Sequence, residues 1–186
     1  MAPYRSDPFP HAISREALPL DIAERTLAWM ETSAPWVLRI ASFYEQWEMH
    51  LAEEMLPEDI RELLSPDTID GLVRALLPDM RDERELIEVT AHRMVPGQTI
   101  RVHNDFRPGG ETHRLLIQLN RGWTDDQGGL LMLFGSGQAE DVRRLIRPVH
   151  ASGFGFRISR SSFHAVSTIS RGDRFTLVYS FREATN

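Results

Sequence analysis

Apolar residues recur at helical spacing in two stretches of the first half, and at alternate positions in many short stretches of the second. Ile22, Ala23, Leu27 and Met30 share one helical face, which predicts a helix with Asp21 and Glu24 as a capping box and an end before Pro35. A second helix is predicted from Ile69, Leu72, Val73, Leu76 and Leu77, with Ser65 as N-cap, Pro66 in the first turn and Pro78 as its stop. Between them, Val37, Arg39 and Ala41 alternate with Leu38, Ile40 and Ser42, so Trp36–Leu51 starts as a strand. Its acidic later part, through Glu45, Glu48, Glu53 and Glu54, fits neither template. Met1–Pro19 carries four prolines and little periodicity and is predicted to be an irregular arm.

From Glu85 the texture changes. Short apolar stretches separated by turn signals run through Glu85–Val95, Thr99–His103, His113–Asn120, Leu130–Phe134, Leu145–Pro148, Gly153–Ile158, Ala165–Ile169 and Arg174–Phe181. Helices first and closely spaced strands later predict an α+β domain whose second half is a β-sandwich or barrel. No repeat or linker divides the chain, so residues 1–186 are read as one domain, helical over about 18–80 and β over about 85–182.

Composition narrows the chemistry. The 186 residues include no cysteine and no lysine, all 21 basic residues being arginine. That excludes thiolate nucleophiles, zinc–thiolate and iron–sulfur sites, and lysine chemistry of any kind. A metal would have to be held by histidine and carboxylate. Residues 1–100 balance to −10 and residues 101–186 to +4. An acidic first half argues against a nucleic-acid partner, and the basic second half suits small anions. No apolar run approaches membrane-spanning length, and the first ten residues lack a signal-peptide pattern, so a cytoplasmic protein with no membrane partner is expected.

The candidate ligands are seven histidines. His103 stands two residues before Asp105, and in an extended segment two such residues share a face. With a further histidine from a distant strand they would form a two-histidine, one-carboxylate facial triad with open positions, the arrangement of non-haem iron(II) oxygenases. Alone, His-x-Asp is weak: chance supplies roughly one match in every two chains of this composition. His164 follows the apolar stretch Phe154–Ile158. Arg174, ten positions further on, shares its strand facing with Thr176. A buried arginine needs an anion, and the distal carboxylate of a dicarboxylate offers bidentate geometry; the Thr176 hydroxyl could add a hydrogen bond. The blander alternative pairs Arg174 with Asp173.

In order along the chain stand Pro96-Gly97, His103-x-Asp105, Leu116-Ile117-Gln118-Leu119-Asn120-x-x-Trp123 and Gly128-Gly129-x-Leu131. Arg147-Pro148, Gly155-Phe156-Arg157-Ile158, Phe163-His164-x-Val166, Gly172-x-Arg174 and Leu177-x-Tyr179 follow. This set, covering about Glu85 to Phe181, resembles the iron(II)- and 2-oxoglutarate-dependent dioxygenases, in particular the prolyl-4-hydroxylase-like branch. The resemblance implies a double-stranded β-helix (jelly roll) with N-terminal helices packed on it. It implies His103, Asp105 and His164 as iron ligands and Arg174, with Thr176, at the 2-oxoglutarate site, with O2 as the second cosubstrate. A carboxylate at Asp105 implies hydroxylation rather than halogenation. Many members of that family carry a tyrosine just before the Pro-Gly, where this chain has Met94-Val95.

The expected activity is hydroxylation of an amino-acid residue in a peptide or protein, including a tailored bacterial peptide. The competing readings are a hydroxylase of a free amino acid or other small metabolite, a non-catalytic β-helix binding domain, and a metal-dependent hydrolase, which leaves Arg174 unexplained. The loop Phe106–Thr112, with Pro108-Gly109-Gly110, reads equally as a lid or a surface connection. Trp123 is read as core rather than pocket lining, and His92, His113 and His150 as structural or surface histidines. The facing of Arg101 and Arg157 is left open.

Overall fold

The computed structural model describes residues 4–80 and 83–183. Among these residues, twelve strands form two antiparallel sheets. The larger takes β1 (Tyr4–Arg5), β2 (His11–Ser14), β3 (Val37–Ile40), β4 (Glu45–His50), β5 (Arg84–Met94), β7 (His113–Gln118), β10 (Gly153–Arg157) and β12 (Arg174–Glu183). Their spatial order is β1-β2-β10-β7-β12-β5-β4-β3. The smaller, ordered β6-β11-β8-β9, takes β6 (Ile100–His103), β8 (Leu131–Phe134), β9 (Val142–Ile146) and β11 (His164–Val166). The two sheets enclose an inner cluster of Met94, Leu131, Leu133, Phe154, Phe156 and Val166, which is the layout of a jelly roll.

Strand β12 shows why the chain folds this way. Phe175, Leu177, Tyr179 and Phe181 face outward into a cluster with Leu115 and Ile117 of β7. That cluster also holds Ile22, Leu27 and Met30 of helix α1 (Leu20–Thr32) and Leu72, Val73 and Leu76 of helix α2 (Pro66–Leu76). The buried Tyr179 hydroxyl donates to Leu63 O at 3.2 Å, since a buried phenol needs an acceptor. Gly153 of β10 lets α2 approach closely: a Cβ there would come within 2.5 Å of Leu76 Cδ1. The opposite face of β12, Arg174, Thr176, Val178 and Ser180, points between the sheets.

Local signals held in part. Ser65 caps α2, its hydroxyl accepting from Thr68 N. The capping box expected at Asp21 and Glu24 does not form: α1 opens at Leu20 behind Pro19 with no side-chain cap. Asp21 instead pairs with Arg25, and Glu24 with Arg121. The expected irregular arm contains β1 and β2, which extend the larger sheet beyond β10. Residues Met1–Pro3 of that arm lie outside the described residues. The ambiguous acidic stretch divides into β4, paired with β3 and β5, and a 3-10 turn at Glu53–Met55. Among the described residues, no helix is long and apolar enough to cross a membrane.

Candidate metal centre

The end of β6 and the start of β11 are cross-strand partners, His103 lying opposite His164. Their rings stand 4.2 Å apart between centroids. Each uses Nδ1 in the same way, 2.8 Å from the carbonyl oxygen two residues earlier, Arg101 O for His103 and Ser162 O for His164. A carbonyl can only accept, so both Nδ1 atoms carry hydrogen and both Nε2 atoms present lone pairs. Those Nε2 atoms lie 3.4 Å and 3.2 Å from the two carboxylate oxygens of Asp105. The three ligand atoms fall within 4.8 Å of one another, the only such group among the described residues.

The sequence argument reached Asp105 for the wrong geometric reason. Strand β6 ends at His103, and Asp105 has φ +58°. It is therefore a left-handed turn, not strand alternation, that brings the carboxylate back beside the imidazole. Asn104 pins that turn: its Nδ2 donates to Arg160 O, its Oδ1 accepts from Phe106 N, and its carbonyl accepts from Ser162 Oγ.

Arg114 completes the polar cluster. Its Nη1 donates to Asp105 Oδ2 at 2.7 Å, and its Nη2 to Glu111 Oε2 at 2.6 Å. Burial alone would raise the Asp105 pKa, but the Arg114 charge beside it holds it well below the usual carboxylate range. Burial lowers the His164 pKa, partly offset by Asp105. Two neutral Nε2 donors and one carboxylate suit a divalent transition metal such as iron, so the residues fit the ion the family resemblance implies. The Phe43 and Phe156 rings pack against His103 and His164, with centroids 4.6 Å and 5.0 Å away.

Arg174 is 2% exposed. Its Nε donates to Gly129 O at 3.0 Å and its Nη1 to Thr176 Oγ1 at 2.8 Å, while Nη2 is buried with no partner. Burial pulls its pKa down to about 10, so it stays charged at neutral pH. Asp173, the bland partner, is taken by Arg93 at 2.6 Å. A buried guanidinium with an orphaned N–H and no carboxylate calls for an anionic ligand, which the distal carboxylate of 2-oxoglutarate would be. Gly129 makes room for it: with φ +63°, a Cβ there would come within 2.9 Å of Arg174 Cδ.

The Thr176 hydroxyl accepts from Arg174 and donates to Gln118 Oε1 at 3.0 Å. Its only proton is committed, so it cannot donate to a carboxylate and instead orients the guanidinium. Met94 is fully buried directly opposite Arg174 and offers it no hydrogen-bonding hydroxyl. The guanidinium's polar support comes from Thr176, itself held by Gln118. Gln118 was missed as a site residue, although a glutamine directly after the apolar run Leu115–Ile117 was a readable signal.

A cavity of about 810 Å³ adjoins the centre. It is lined by His103, Asp105, Phe106, Glu111 and Arg114, and by residues of β4, β5 and β12. His92, read as structural or surface, is a half-buried lining residue held between Gln46 Nε2 and Thr90 Oγ1, each at 3.2 Å. Trp123 is core, its Nε1 donating to Gly128 O. Arg101 and Arg157 both point outward.

No family model and no curated protein sequence matches the chain. Solved structures do. A Pseudomonas putida prolyl-4-hydroxylase superposes with a TM-score of 0.74 at 19% identity over 94% of this chain and 92% of that one. A Trichoplax adhaerens prolyl hydroxylase in complex with a hypoxia inducible factor peptide fragment gives 0.73 at 16% identity, over 92% and 83%. A 2OG-Fe(II) oxygenase family oxidoreductase from Burkholderia pseudomallei gives 0.67 at 15% identity, over 95% and 86%. The chain has the fold of the prolyl-4-hydroxylases and 2-oxoglutarate–iron(II) oxygenases.

Proposed function

We propose that the chain is an iron(II)- and 2-oxoglutarate-dependent oxygenase that hydroxylates an amino-acid residue within a peptide or protein. One observation carries the reading: two histidines with lone pairs aimed at one carboxylate, in the same jelly roll as a buried guanidinium that lacks an anion. His103, Asp105 and His164 would hold the iron, and Arg174 the far carboxylate of 2-oxoglutarate. Iron bound there supplies the oxidising chemistry, in which substrate C–H, 2-oxoglutarate and O2 give C–OH, succinate and CO2.

The chain's own residues set the conditions for that reaction. Arg114 keeps Asp105 ionised, so it meets a cation without first losing a proton. The Nδ1 contacts fix each imidazole in the tautomer a metal requires. Thr176 and Gln118 orient the guanidinium, and the phenylalanines shield the ligands from water.

The peptide reading is supported by the mouth of the cavity. Exposed Arg39, Ala41, His50 and Arg107 line it, so it opens to solvent. Beside it runs β3, the outermost strand of the larger sheet, with all four residues exposed and one edge unpaired. Such an edge can pair with an extended peptide. One neighbour in fold has a peptide bound.

The test incubates purified protein with Fe(II), ascorbate, 2-oxoglutarate and a peptide pool, following succinate and peptide mass. Gain of one oxygen atom by a peptide, lost in Asp105→Ala, is expected. Full turnover by Asp105→Ala would sink the metal assignment. Succinate release without an oxidised peptide would move the substrate to free small molecules.

A further inference from the structure

The wall of the cavity built by β4 and β5 is rich in acceptors and poor in donors. Gln46 and Glu48 are two residues apart on β4, and Glu48 is the cross-strand partner of His92. The Gln46 amide nitrogen lies 2.7 Å from Glu48 Oε1 and 3.2 Å from His92 Nδ1. The short contact to a carboxylate fixes which end of the amide is nitrogen, because an oxygen there would be repelled. Both amide hydrogens are thereby used, and Gln46 Oε1 is left buried with no donor, on a residue 3% exposed.

Glu48 itself is half-buried, with the neutral Tyr44 hydroxyl and the Gln46 amide beside it, and no arginine or histidine among the described residues lies within ion-pair distance to balance its charge. The other acids around the cavity are matched: Asp105 and Glu111 share Arg114, and Glu88 takes His50. Of the lining arginines, Arg182 pairs with Glu85, while Arg39 and Arg107 are exposed and solvated. His92 cannot serve as the counter-ion, since burial, assisted by Arg114 and Arg174, drops its pKa to about 4. A half-buried carboxylate beside an orphaned amide oxygen is a site for a group that is both charged and rich in N–H.

We propose that Glu48, with Gln46 beside it, receives a cationic nitrogen group of the substrate, an ammonium or guanidinium such as a basic side chain carries. This rests on the reading of the adjoining centre as an oxygenase site, and it narrows the substrate class. A prolyl ring within a peptide offers neither the charge nor the donors. The substrate therefore differs in chemistry from that of the prolyl hydroxylases whose fold the chain shares.

The test uses the protein loaded with Mn(II) and 2-oxoglutarate, with Nα-acetyl methylamides of lysine, arginine, norleucine and proline as probes. Binding is read as paramagnetic broadening of probe protons. Lysine or arginine probe binding about tenfold or more tighter than norleucine is expected, as one charge-assisted hydrogen bond would give. Glu48→Gln should bring the cationic and neutral probes within about twofold. Equal binding of these probes by loaded protein, or a preference that survives in folded Glu48→Gln, overturns the inference. The comparison among probes in the unaltered protein holds even if the variant fails to fold. Failure to take up Mn(II) and 2-oxoglutarate overturns the oxygenase reading instead, and calorimetry with Asp105→Ala as control shows that separately.

Discussion

The two faces of β12 are buried alike and built oppositely. Phe175, Leu177, Tyr179 and Phe181 pack into the apolar cluster under the helices, and the Tyr179 hydroxyl finds a carbonyl, so the outward face is complete as it stands. Arg174, Thr176 and Ser180 on the inward face are polar, and the Arg174 guanidinium has a nitrogen with nothing to bind. Burial by itself does not distinguish core from site; unfinished hydrogen bonding does. One face contributes stability, and the other stores a demand that only a ligand meets.

That contrast can be broken from either side. The largest effect is expected outward, where Leu177→Ala should cost about 2–5 kcal/mol by urea denaturation while leaving metal affinity of the folded fraction unchanged. Inward, Arg174→Met should weaken 2-oxoglutarate binding about 100-fold by calorimetry, since a bidentate charged contact is lost. Because it also removes an uncompensated buried cation, stability should hold or rise. Thr176→Val keeps the shape but strands Arg174 Nη1 and Gln118 Oε1, and should cost about 1–3 kcal/mol together with weaker 2-oxoglutarate binding. The smallest effect concerns pH. His92 titrates near 4 when folded against about 6.5 unfolded, so the unfolded chain binds the extra proton between those values. Stability of the metal-free protein should therefore be full above about pH 6.5 and fall as pH drops toward 4. His92→Gln should flatten that slope in urea titrations at pH 7 and 5.

The strands and most of the centre were legible because alternation survives wherever one face is apolar. His164, Arg174 and Thr176 stand on such strands, and their spacing could be read directly. Strand β4 was not legible, since its cavity-facing positions Gln46, Glu48 and His50 are polar and erase the apolar signal. β1 and β2 are short edge strands among prolines, held by register with β10 rather than by their own pattern. The φ of Asp105 is imposed by the clasp around Asn104, with Arg160 and Ser162 some 56–58 residues away. Arg114 was named only as a neighbour in sequence; its grip on Asp105 exists only once β7 is placed.

The shared habit of His103 and His164, each gripping a carbonyl of its own chain two positions back, has a consequence for assembly. Neither ring waits for a metal to be aimed; both are set as soon as β6 and β11 zip together in register. The histidine half of the cation-binding pocket is thus a by-product of one strand pairing, to which the turn clasped around Asn104 adds the carboxylate of Asp105. It should also vanish in one step when that pairing opens, so amide exchange along β6 and β11 and release of the ion should share a single rate.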